Sequence, residues 1–104
     1  MFDYEVENGI LKIFLCGEVD HHHAAEIRTC VDELIDRFLP KTVILDFEHV
    51  SFCDSSGIAI VLGRYKKMQS LDSNLFLSGL SGQTLTIFQL ANIEKIVKIL
   101  QEEK

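Results

Sequence analysis

The stretch Phe52-Cys53-Asp54-Ser55-Ser56-Gly57-Ile58-Ala59-Ile60-Val61-Leu62-Gly63-Arg64-Tyr65-Lys66 decides how the chain is read. An apolar segment gives way to an acid, two hydroxyls and a glycine, after which Ile58, Val61, Leu62, Tyr65 and Met68 recur at helical spacing. A turn leading into a helix is expected, with Arg64, Lys66 and Lys67 toward the carboxyl end, where the helix dipole favours cations. Just before it, Thr42-Val43-Ile44-Leu45-Asp46-Phe47 is a β-branched run of strand length. Its nearly continuous apolar character suits a central strand buried on both faces.

Further toward the amino end, Phe2-Asp3-Tyr4-Glu5-Val6 alternates apolar and charged residues, and Ile10-Leu11-Lys12-Ile13-Phe14-Leu15-Cys16 returns as a second strand. Asn8-Gly9 between them is the favoured two-residue hairpin turn. Past Gly17-Glu18-Val19-Asp20 the period changes: Ala24, Ile27, Val31, Leu34, Ile35 and Phe38 fall on one helical stripe, with Asp20 as N-cap and Pro40 just beyond the end. On the carboxyl side, Asn74-Leu75-Phe76-Leu77-Ser78 reads as a strand. Ser81-Gly82-Gln83-Thr84 opens a short helix carrying Leu85, Phe88 and Leu90, and Lys95–Leu100 fits an edge strand or a helical turn. Strands and helices alternate after a hairpin, so the fold class is α/β, a mixed sheet of four to five strands with helices packed mainly on one face.

The 104 residues suffice for one core and not for two, so residues 1–104 form a single domain. With 47% hydrophobic and 25% charged residues the chain falls in the range of folded soluble proteins, and disorder is expected at most in the tail Gln101–Lys104. Acids near the amino terminus exclude an ordinary signal peptide, and no apolar run reaches the roughly 18 residues of a membrane span, which places the protein in the cytoplasm. Cys16, Cys30 and Cys53 are odd in number and set among apolar neighbours, as buried free thiols would be. Residues 1–54 carry twelve acids against four bases, whereas residues 55–104 carry four against six, for an overall charge of -6. Such a chain repels phosphate backbones, so nucleic acid is excluded as partner and a protein with basic groups suits it better.

Four chemistries compete for Asp54-Ser55-Ser56-Gly57. A hydrolase nucleophile elbow wants glycine two residues before its serine and a later histidine; here Cys53 or Asp54 holds that place, and His21, His22, His23 and His49 all precede the serines. The triplet His21-His22-His23 makes a poor metal site if helical, because successive side chains point about 100° apart, so a polar helix start is expected and no metal. A phosphate cradle wants more glycines and a lysine, and lacks the acid found here. A plain serine cap and a phosphorylated serine both fit. A phosphoryl group at a helix start meets the dipole and free N–H donors while adding roughly -1.5 to -2 charges, enough to repel a partner docked over Asp54. Chemistry alone leaves Ser55 and Ser56 equally eligible.

Asp54-Ser55-Ser56-Gly57-Ile58 followed by Gly63-Arg64-Tyr65-Lys66 resembles the phosphorylation loop and following helix of the bacterial anti-sigma factor antagonists, the stand-alone STAS domains. Gly17-Glu18-Val19-Asp20-His21-His22 resembles their strand-to-helix segment, Val43–Phe47 their central strand, and the similarity runs from about Val6 to Leu100, most like the sporulation type. The resemblance implies a STAS-like fold and a non-enzymatic switch without cofactor, a monomer when free. Unphosphorylated, it would bind an anti-sigma factor that is also a serine kinase, releasing a sigma factor. The kinase would phosphorylate Ser55, the first serine of the pair, and a serine phosphatase would reset it. Asp20, Asp54, Ser56 and Gly57 match the partner-binding site, Gly57 permitting the turn. Service as a binding subunit of a general-stress signalling complex is the alternative. Ala59 replaces the family's usual second glycine and Cys53 a common methionine.

Overall fold

The computed structural model describes residues 2–100. Asn8 and Gly9, at φ of 55° and 79°, form the expected turn between β1 (Asp3–Glu7) and β2 (Ile10–Val19), which pair antiparallel with Glu7 opposite Ile10. From β2 onward every neighbour is parallel: β3 (Thr42–Cys53), β4 (Asn74–Ser78) and the short edge strand β5 (Lys98–Ile99) follow in the order β1-β2-β3-β4-β5. The crossovers are α1 (Ala24–Phe38), α2 (Ser55–Ser70) and α3 (Gly82–Leu90), the last followed by a 3₁₀ turn at Ile93–Lys95. All three step the same way across the sheet, so right-handed connections bring the helices to one face. Leu11, Ile13, Leu15, Val43, Leu45, Leu75 and Leu77 alternate onto that face and are buried. The carboxyl-terminal segment thus contains both a helical turn and an edge strand, and the tail Gln101–Lys104 lies outside the described residues. No described helix is long and apolar enough to cross a membrane.

Several expectations change. β3 runs six residues beyond Phe47, to Cys53, and Ile44 on its opposite face is only half-buried. The polar Glu48-His49-Val50-Ser51 segment stays extended because it pairs with Cys16–Glu18 of β2. Relative to β2, β3 has one extra residue between the Phe14 and Cys16 pairings and another between those of Gly17 and Glu18, two bulges that re-aim the strand end. Asp20 is not the N-cap of α1: residues 21–23 form a turn, and His23 occupies the cap position. Of the thiols only Cys53 is buried; Cys16 is exposed and Cys30 half-buried. Leu90 is 78% exposed, and α3 is anchored instead by Thr84 and Phe88, whose ring meets Phe47 edge-on at 5.4 Å.

Arg64 and Lys67 do more than face a helix dipole. Arg64 Nε lies 2.9 Å from Asp32 Oδ1 and Lys67 Nζ 2.9 Å from Asp36 Oδ1, tying α2 to α1. The Arg64 side chain is 11% exposed, so its stem also fills space between the two helices.

Candidate functional site

The bulged end of β3 delivers Cys53 opposite Val19, and the N–H of Asp54 then donates to Val19 O at 3.2 Å. The start of α2 is thereby set beside the turn that precedes α1. Asp54, extended at φ -107° and ψ -168°, caps α2: its Oδ1 accepts the Ser56 N–H at 2.8 Å. Its Oδ2 accepts the His21 N–H at 3.2 Å, so one carboxylate joins two loops that are 33 residues apart in sequence. The backbone carbonyl of Asp54 takes the Gly57 N–H at 2.9 Å.

This geometry separates the two serines. Ser55 is the first residue of α2 and is exposed, whereas Ser56 is half-buried. Because Asp54 supplies the cap, the Ser55 hydroxyl carries no capping duty. The N–H donors expected to welcome a phosphoryl group are partly spoken for, since Asp54 already engages those of Ser56 and Gly57.

Gly57 is buried, and it does not occupy the left-handed region, so it is not there to permit the turn. Its role is room: a Cβ at this position would collide with Cys53 Sγ and stand 3.3 Å from Val19 Cγ1. Burial, followed by the neighbouring Asp54 charge, pushes the Cys53 thiol up to about 11. The thiol is therefore a neutral packing atom. The strand end has a further brace that sequence reasoning missed. Gln83 Oε1 accepts the Cys53 N–H at 3.0 Å while Gln83 Nε2 donates to Cys53 O at 2.7 Å, so the second residue of α3 extends the ladder where β4 has ended. An amide at a helix start, where an acid is commoner, was the only signal available.

On the other side of His21, the Asp20 Oδ1 accepts the His23 N–H at 3.1 Å and lies 2.7 Å from His23 Nδ1. Burial raises the Asp20 carboxyl, but the hydrogen bonds from the His23 ring and N–H, with the His23 and His22 charges, outweigh it and hold it below its usual value. Asp20 and Asp54 thus flank His21 and brace one surface, with Ser55 beside it.

The profile of the STAS domain matches residues 1–104. The chain belongs to the STAS-domain family. Among STAS proteins, it is 29% identical to an anti-sigma F factor antagonist from Paenibacillus polymyxa over 101 residues, covering 97% of this chain and 86% of that one. The anti-sigma factor antagonist SpoIIAA in its unphosphorylated form superimposes with a TM-score of 0.83 at 28% identity, over 100% of this chain and 90% of SpoIIAA. The phosphorylated form of the Bacillus cell fate determinant SpoIIAA does so with a TM-score of 0.75 at 30% identity, over 100% and 93%. As a STAS domain, the chain has the five-stranded mixed sheet and three helices expected of its sequence.

Proposed function

We propose that this STAS domain is a non-enzymatic, cytoplasmic anti-sigma factor antagonist. Its docking to an anti-sigma factor with serine kinase activity is switched off by phosphorylation of Ser55 and restored by a serine phosphatase. The observation that carries the reading is the exposed hydroxyl of Ser55 at the first position of α2, next to a cap provided by Asp54. A kinase can reach that oxygen without breaking a hydrogen bond that holds the helix. The added charge of roughly -1.5 to -2 then sits beside the Asp54 carboxylate. With two helix-start N–H groups already engaged, the phosphoryl oxygens face solvent and any docked protein. Fold and function separate at this point. The fold keeps its cap, while a partner seated over Asp20, Asp54 and Ser56 meets like charge and a desolvation cost of several kcal/mol. Gly57 contributes from below, by letting α2 approach Cys53 closely.

The test is capture of the cognate anti-sigma factor with the purified chain in the presence and absence of Mg·ATP. One phosphate per chain, mapping to Ser55, and release of the partner are expected; Ser55→Ala should stay bound and unmodified. Phosphate on Ser56 alone would overturn the site, and no transfer by the true partner would overturn the switch.

A further inference from the structure

The end of β2 and the turn after it hold a second cluster. The carboxylates of Glu18 and Asp20 and the His23 imidazole each offer a ligand atom, and these atoms lie within 4.8 Å of one another. Glu18 and His23 also line a cleft of about 300 Å³, with Cys16 and Glu26 on the same walls. A turn-closing pair accounts for Asp20 and His23, at 2.7 Å, but leaves Glu18 unexplained. The backbone pairing opposite Phe52 holds Glu18 at the mouth of this turn, where its side chain is exposed.

We propose that Glu18, Asp20 and His23 form a site for one divalent transition-metal ion, zinc in the first instance. One imidazole nitrogen with two carboxylates is a donor set for zinc or cobalt, since calcium and magnesium prefer oxygen alone. His23 Nδ1 and Asp20 Oδ1 are in direct hydrogen-bond contact at 2.7 Å, and opening that pair by less than about 1 Å, with loss of the shared proton, admits one ion at bonds of roughly 2.0–2.2 Å. Glu18 is an exposed, flexible side chain that closes the remaining gap by changing rotamer. Water completes the coordination. The neutral imidazole binds through Nδ1 with its proton on Nε2. His21 and His22 take no part: their rings pack edge-on against each other, 6.2 Å apart. The site shares Asp20 with the proposed docking surface of the serine switch, and the N–H of His21 joins its turn to Asp54.

The experiment is calorimetric titration of the chelator-treated chain with Zn²⁺, followed by Co²⁺ with visible absorption as a second readout and Mg²⁺ as control. Saturation at one ion per chain is expected, with no response to Mg²⁺. His23→Gln and Glu18→Gln should each weaken Zn²⁺ by more than the roughly 10-fold that loss of an outer-shell partner costs, with circular dichroism unchanged. The double variant His21→Gln/His22→Gln should bind as the parent does. Absence of saturable binding, retention of affinity in His23→Gln, or its loss in the His21/His22 variant would each overturn the proposal. The readout is ion binding to the free chain, so it stands or falls independently of any kinase partner.

Discussion

Replacing Gly57 by alanine probes the packing that seats α2. The new Cβ would overlap Cys53 Sγ and crowd Val19 Cγ1 at 3.3 Å. Neither neighbour yields cheaply, because Cys53 and Val19 are 0% and 1% exposed and sit in the core. Overpacking of this kind costs about 1–3 kcal/mol. Alanine's better helix propensity returns about 1 kcal/mol, leaving a net loss of up to about 2 kcal/mol. For a domain of this size that lowers the thermal midpoint by about 4–8 °C per kcal/mol. Removing the sulfur should relieve the clash, since Cys53 Cβ is 3.9 Å from the built Cβ, an ordinary contact. The double variant Gly57→Ala/Cys53→Ala should then recover about 1–2 kcal/mol relative to the sum of the single changes, measured by urea unfolding as a double-mutant cycle. A Gly57→Ala protein as stable as the parent, with no coupling to position 53, would refute the claim that glycine is there for room.

Removing the Gln83 amide by Gln83→Ala should cost about 1–3 kcal/mol in urea unfolding, since two hydrogen bonds to Cys53 are lost at once; Gln83→Glu should restore only part of it. Cys53 makes stability fall in alkali. Its folded thiol titrates at about 11 against 9.0 for the free group, so the unfolded chain loses its proton first and stability declines as pH rises from 9.0 toward 11. Cys53→Ala should flatten that decline, and a thiol reagent near neutral pH should modify exposed Cys16 well before Cys53. Asp20 acts at the other end: its folded carboxyl is held below 3.8, so its contribution is present above that value and is lost as pH falls through the lower folded one. Asp20→Asn should therefore show a smaller difference in unfolding midpoint between neutral and strongly acid pH than the parent.

The parts of the fold written in local pattern were legible. Asn8-Gly9 between alternating runs specified a hairpin and its register, and Ala24, Ile27, Val31 and Ile35 marked the buried stripe of α1. Features that depend on a neighbour were not. Glu48–Ser51 has no strand pattern of its own, and its conformation comes from two bulged pairings with β2. The three histidines look like a helix start, yet Asp20 draws His23 into a turn and moves the cap three residues along. At the candidate site the sequence left a serine as plain cap and a serine as phosphate acceptor as alternatives, and the capping role of Asp54 was not legible in it. Asp54 took the cap because its two oxygens serve both Ser56 and His21, which a serine hydroxyl cannot span. The roles of Gly57 and Gln83 rest on contacts to Cys53 from other elements, and no spacing rule reports such approaches.

The central claim is that a dianion at position 55 blocks docking while sparing the architecture. The direct measurement is calorimetric affinity of the kinase-type anti-sigma factor for the chain quantitatively phosphorylated at Ser55 and for the unmodified chain, with thermal unfolding recorded on both samples. The account predicts matching unfolding curves and an affinity about 100-fold or more lower for the phosphorylated chain. Equal affinities, or a phosphorylated chain that no longer unfolds cooperatively, would contradict it.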